Sequence, residues 1–215
     1  MKCILCRMHA ADSAEHIFKS SIYQKVTGDG KSWLIIGDST RTVNGRGSKK
    51  LKPIKNLCSK CNNEISKKPD DAISLIHEHL WKTERVAGNI IPLSKLEKRF
   101  GAENLVQLKR YFAKHLACLI HRYKYTVPDV LGDIFTNSAP LEKLSLSIRV
   151  DSTSLGEAQG VPCNPEEITP IDYMYNLPLG APGDPAKIKV GAIPSFYSTA
   201  IIASDIRYDL KIECH

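Results

Sequence analysis

The sequence predicts an α+β chain in three sections, and three observations predict it. Two Cys-x2-Cys pairs bracket a basic, glycine-bearing stretch, apolar residues then recur at three- and four-residue steps, and the last third alternates apolar with polar residues between prolines. The sections run 1–68, 69–136 and 137–215. With 215 residues, 42% of them hydrophobic, the chain can bury a genuine core. No apolar run approaches the ~20 residues of a membrane span, and the start MKCILCRMHAADSAEH lacks a signal-peptide h-region. No membrane association and a cytoplasmic location are therefore expected.

In the first section, Cys3-Ile-Leu-Cys6 and Cys58-Ser-Lys-Cys61 supply four thiolates. Four is the number a tetrahedral structural zinc takes, and two-residue spacing lets both sulfurs of a pair reach one ion. Seven cysteines in a chain without an export signal favour metal over disulfides. A redox role would need a single pair at a strand–helix junction, not two matching pairs. Between the pairs lie 51 residues, more than a ribbon-type finger uses, so the insert is where function is to be sought. Its middle, Thr27 to Lys52, holds Gly28, Gly30, Gly37, Gly45 and Gly47 and reads as hairpin or loop.

Charge singles out the same section. Residues 1–68 carry 14 Lys+Arg and five acids, a net of +9, while the remainder carries 16 and 18, a net of −2. Basic charge confined to one module suits phosphate-backbone binding, because each neutralised phosphate releases counterions. Lys19, Arg41, Arg46, Lys49, Lys50 and Lys52 are the candidate contacts. Each taken singly is an ordinary solvated cation; as a group they suit a phosphate backbone.

The second section predicts two helices. In PDDAISLIHEHLWKTERVAG, Pro69, Asp70 and Asp71 suit a first turn and Gly88 a stop. In ENLVQLKRYFAKHLACLIHRYKY, Leu105, Leu108, Phe112, Leu116, Leu119 and Tyr123 line one face, and the helix ends before Pro128. His77 and His79, two apart, turn to different faces and make a poor metal pair; Cys118 reads as a small buried thiol, and His9, which follows the first knuckle, could lie near the site but suits a surface position better.

The third section alternates. LSLSIRVDS, AKIKVGAI and SDIRYDLKIE read as antiparallel strands, with PCNPEEITPIDYMYNLPLGAPGDP as loops around one short strand. Cys163, Cys214 and His215 have no spacing partner, and Tyr173, Tyr175, Phe196, Tyr197 and Tyr208 suit core or strand packing better than base stacking.

Within the insert stands Glu15-His16-Ile17-Phe18, and Asn62-Asn63 follow the second pair directly. Cys-x2-Cys, then Glu-His-Ile-Phe, then Asn56-Leu57-Cys58-x2-Cys61-Asn62-Asn63 before a helix resembles the HNH endonucleases over roughly the first 80 residues. The resemblance implies a zinc-stabilised, treble-clef-like ββα-metal module with Glu15 and Asn62 holding a catalytic Mg²⁺ or Mn²⁺ and His16 as general base. DNA is then the expected substrate, ahead of RNA. Those residue types suit phosphodiester hydrolysis, which needs a water deprotonated near neutral pH and a cation for the developing charge. In a strand, Glu15 and His16 would face opposite sides, so a bent or bulged backbone is expected there. The family's middle Asn would fall at Pro53; Asn56 and Asn44 are its nearest substitutes, and Asn56 is taken as the supporting residue.

The competing reading is a non-catalytic zinc module that binds nucleic acid or a partner protein, which needs the cysteines but not Glu15, His16 and Asn62 together. Residues 69–215 exceed what a ββα module requires and suit a protein partner or a regulatory ligand, as a phage-defence, toxin or mobile-element protein would use.

Overall fold

In the computed structural model the described residues are 1–16, 19–22, 31–36, 39–44, 55–84, 88–122, 124–150, 196–203 and 206–213, with backbone alone over 31–36, 39–44, 196–203 and at 213. The architecture is α+β. Strands β1 (Lys31–Ile36) and β2 (Ser39–Asn44) pair antiparallel, Lys31 opposite Asn44 and Ile36 opposite Ser39, so the glycine-bearing insert does contain a hairpin.

The second cysteine pair runs straight into helix. A π-helical turn, Lys60–Ile65, leads through Ser66 to α1, Lys67–Thr83. The Ser66 N–H and hydroxyl both donate to the Cys61 carbonyl, at 3.2 and 2.8 Å, which closes the wide turn. Pro69 lies in the first turn of α1, where its missing N–H costs little, and Asp70 sits at the positive end of the helix. The helix stops at Thr83, five residues short of Gly88. Gly88 adopts φ +74°, a left-handed conformation suited to glycine, and its N–H donates to the Val150 carbonyl at 2.8 Å. It therefore opens the edge strand β3 (Ile90–Ile91) instead of closing α1.

Three more helices follow: α2 (Leu93–Phe100), between Pro92 and Gly101, α3 (Ala102–Arg122), and α4 (Asp129–Thr136), which starts after Pro128 and ends on a left-handed Asn137. Helices α1, α2 and α4 all pack on α3. Every residue of α3 from Tyr111 to Ile120 is buried, so its surroundings are protein on all sides and the apolar stripe seen in the sequence is only part of its contact surface.

Strands β4 (Leu144–Val150), β5 (Phe196–Ala203) and β6 (Ile206–Glu213) join β3 in an antiparallel sheet of order β3-β4-β6-β5. Leu146 pairs with Leu210 and Ile148 with Tyr208, so the buried residues of both strands share one face. That face meets the helices. The Tyr208 ring lies 4.9 Å from Phe112, and its hydroxyl is hydrogen-bonded to His77 Nδ1 at 2.8 Å. Fully burying side chains of this size contributes roughly 1.5–3 kcal/mol each. AKIKVGAI lies outside the described residues. Strand β5 was not expected, because FYSTAIIA does not alternate cleanly.

One buried cluster draws on all three sections, including Leu5 and Leu57, Ile73, Phe112 and Phe135, and Ile148 and Leu210. Among the described residues no helix is long and apolar enough to cross a membrane.

Candidate functional site

The four cysteines meet. The first pair sits on a tight turn in which the Arg7 N–H donates to the Cys3 carbonyl at 2.9 Å and Arg7 takes φ +59°. In the second, the Cys61 N–H points at Cys58 Sγ, 3.4 Å away, and the Asn62 N–H reaches the Cys58 carbonyl at 3.0 Å. All four sulfurs lie within 4.8 Å of one another, and Cys6 Sγ is 3.7 Å from Cys58 Sγ. A tetrahedron with metal–sulfur bonds of about 2.3 Å has edges near ~3.8 Å, so the spacing fits a single ion such as zinc. Cys3, Cys58 and Cys61 are buried and Cys6 is half-buried. A hydrogen bond from the Cys61 thiol holds the Cys3 thiol down at about 4, while Cys61, buried beside that sulfur, is pushed up. Four thiolates brought this close together need a cation.

Both pairs are tied to what lies around them. Ile4 N–H donates to the Asn56 carbonyl at 3.0 Å, and Ser13 and Leu57 exchange backbone hydrogen bonds at 2.8 and 3.1 Å. The Asp12 carboxylate accepts the Ser59 N–H at 2.7 Å, which lowers its pKa, and so caps the turn that follows. On the other side, Arg7 bridges Asp129 and Asp133 of α4 at 2.6 Å each. The Leu5 carbonyl presses on Gly132, where a Cβ would collide with it. Glycine mid-helix at this point is a close-approach requirement.

Asn62 ties the helical run after the second cysteine pair to the start of the insert. Its Nδ2 donates to Ser13 Oγ at 2.8 Å and to the Ala14 carbonyl at 3.4 Å, which sets its side chain against the backbone that continues into Glu15 and His16. Its Oδ1 is buried and accepts no hydrogen bond among the described residues. A buried carbonyl oxygen without a donor is costly in a protein and suits a hard cation.

Glu15 and His16 lie in irregular backbone just past the Ser13–Leu57 bridge and have different surroundings. His16 is half-exposed. Glu15 is buried, with Oε2 3.3 Å from Lys114 Nζ and Oε1 3.6 Å from His115 Nε2, both on α3. Burial pushes its carboxyl up to about 7, against the pull of Lys114. The acid expected from the sequence to share the divalent ion thus has both oxygens turned to cationic or imidazole partners.

The expected phosphate contacts divide. Lys19 is held locally: its ammonium donates to the Asp70 carbonyl and lies 3.8 Å from Asp71. Arg41 lies on β2 with its side chain outside the described residues, as are Arg46, Lys49, Lys50, Lys52 and Pro53 altogether. Asn56 is buried, and its Oδ1 is 3.9 Å from the Cys118 thiol of α3. An open depression of about 740 Å³ is lined by His79, Thr83, Glu84, Lys95, Lys98 and Arg99, none of which the sequence singled out as a site.

Lys114, His115 and Ser66 carry no site motif in the sequence, and Asp70 reads there only as a first-turn acid. One signal was present: across Phe112–Ile120, Lys114 is the only Lys, Arg, Asp or Glu. His9, for which a surface position and one near the site were both open, is exposed and has its Nδ1 3.6 Å from Cys6 Sγ. Comparison of the chain with protein-family models, curated proteins and solved structures finds no match in any of them.

Proposed function

We propose that this chain is a metal-dependent endonuclease of the HNH type that hydrolyses DNA phosphodiester bonds, with zinc in the four-cysteine cluster as scaffold. The observation that carries the reading is the Asn62 latch: Nδ2 bound to Ser13 and Ala14, with Oδ1 buried and lacking a donor among the described residues, two residues from the His16 segment. Support also comes from the order of elements, an antiparallel hairpin between the cysteine pairs and a helix directly after the second.

On this reading Asn62 Oδ1 would hold a Mg²⁺ or Mn²⁺ ion, with Glu15 the expected second ligand once one of its oxygens leaves Lys114 or His115. The ion supplies positive charge for the scissile phosphate and the leaving 3′ oxygen. His16, half-exposed, accepts the proton of the attacking water, a task matched to an imidazole near neutral pH. The basic insert neutralises backbone phosphates on either side of the cut.

The engagement of Glu15 favours one second reading, a non-catalytic zinc module that binds nucleic acid or a partner protein. Supercoiled plasmid separates the two. The nuclease converts it to nicked or linear form with Mg²⁺ or Mn²⁺, is silent in EDTA, and loses activity in Asn62→Ala and in His16→Ala. Binding without cleavage under every divalent ion supports the module instead.

A further inference from the structure

Helix α3 carries a polar stripe at helical spacing, Tyr111, Lys114, His115 and Cys118, in its most deeply buried stretch. Each member meets the N-terminal section. The Tyr111 hydroxyl accepts the Lys19 N–H at 3.2 Å, Lys114 and His115 take the two oxygens of Glu15, and the Cys118 thiol faces Asn56 Oδ1. The Tyr111 and His115 rings pack at 4.2 Å, which stiffens the stripe.

Lys114 is its centre. The ammonium has three protons and no acceptor, and three oxygens surround it: Glu15 Oε2 at 3.3 Å, Ser66 Oγ at 3.1 Å and Asp70 Oδ1 at 2.9 Å. Its side chain is wholly buried, with the Tyr111 ring 5.5 Å away. Burial works against its charge, but Glu15 and Asp70 hold its pKa above the ordinary lysine value. A buried ion pair is a poor way to gain stability, since a packed apolar side chain of similar volume is often as good or better. What a lysine gives here that a methionine cannot is a fixed three-way junction. Glu15 precedes His16, while Ser66 and Asp70 follow Cys61 and Asn62 on the continuous helical run.

We propose that Lys114 is the positioning residue of the site, locking the segment that bears His16 to the segment that bears Asn62 through Glu15 on one side and Ser66 and Asp70 on the other. The proposal rests on the endonuclease reading for its activity readout, and on geometry alone for its spectroscopic one. It gives Glu15 a structural partner that a freely metal-binding carboxylate would not have.

The test uses the full-length, zinc-loaded chain as wild type, Lys114→Met, Glu15→Gln and the double variant Glu15→Gln/Lys114→Met. The double variant leaves no Glu15–Lys114 ion pair to satisfy, so it keeps the test open should Lys114→Met alone fail to fold. Plasmid cleavage is followed at saturating Mg²⁺, and the His16 imidazole resonances at one fixed pH, assigned by their loss in His16→Ala. Lys114→Met is expected to lower kcat about 10- to 100-fold, the scale of an ångström misplacement, with KM and zinc content unchanged. The His16 resonances move, and the double variant is no worse than the poorer single one, because both changes cut the same link. Unchanged kcat and unmoved His16 resonances in the double variant overturn the proposal. So does a Glu15→Gln enzyme that needs at least ~10-fold more Mg²⁺ while Lys114→Met cleaves normally, because the carboxylate would then act as a ligand without Lys114. A wild type that cuts nothing, with His16 resonances that still move in the variants, supports the link and removes only the nuclease reading.

Discussion

Two devices organise the N-terminal section, and they differ in kind. The cysteine cluster gathers four like ligands around one point, each pair from a four-residue Cys-x2-Cys segment, with its sulfurs within 4.8 Å. The Lys114 junction gathers unlike partners, Glu15, Ser66 and Asp70, from segments up to 99 residues away in sequence. With a metal bound, the first would close the insert by coordination; in the role proposed for it, the second orients the insert's contents by matched protons and oxygens. Ligation tolerates changes in what surrounds it, whereas a buried charge network depends on every member being present. Fold and aim are thus assigned to different chemistry within one small region.

Removing a ligand should have the largest effect. In Cys61→Ser, metal content measured on the purified chain falls below one per chain and the N-terminal section loses cooperative unfolding, since a structural zinc supplies on the order of 10 kcal/mol to small modules. A normal melt with stoichiometric metal would show that the cysteine cluster does not hold this section together. Next is Lys114→Ala, which strands Glu15 and Asp70 and should cost about 3–5 kcal/mol by urea denaturation. The paired change Glu15→Gln/Lys114→Met should recover most of that, and equal losses in both would mean that the pair does not act as a unit.

Acidity sharpens the same contrast. Glu15 has its carboxyl raised from 4.5 to about 7, so the folded chain holds that proton more tightly than the unfolded chain does. Its contribution is full below pH 4.5 and is lost as the pH rises through 7, by at most about 3–4 kcal/mol at 1.36 kcal/mol per unit. Urea melts at pH 5 and pH 8 should therefore differ in wild type, and Glu15→Gln should flatten that difference. The smallest effect belongs to the contact between the two regions: Gly132→Ala puts a methyl group against the Leu5 carbonyl, and overpacking of this sort costs about 1–3 kcal/mol without loss of metal.

The cysteine site was legible because its information is local. Cys3-x2-Cys6 and Cys58-x2-Cys61 fix ligand number and reach by spacing alone, and the structure brings all four together. Helix α3 and strands β4 and β6 were legible for a similar reason, since their apolar residues recur at the period of the element. Gly88 misled because a glycine after a helical run suits a stop and a sheet-edge turn equally, and only the Val150 pairing decides between them. The partner of Glu15 had no spacing signature at all. Lys114 stands 99 residues further along the chain, on a helix whose apolar periodicity hid the fact that it is buried on every side.

The central claim is that His16 does chemistry at this site, and single-turnover cleavage of supercoiled plasmid by zinc-loaded wild type and His16→Ala tests it most directly. A loss of ~10²–10⁴-fold in the cleavage rate is expected, the usual contribution of a general base, with metal content and melting unchanged. Equal rates in the two proteins would contradict the claim.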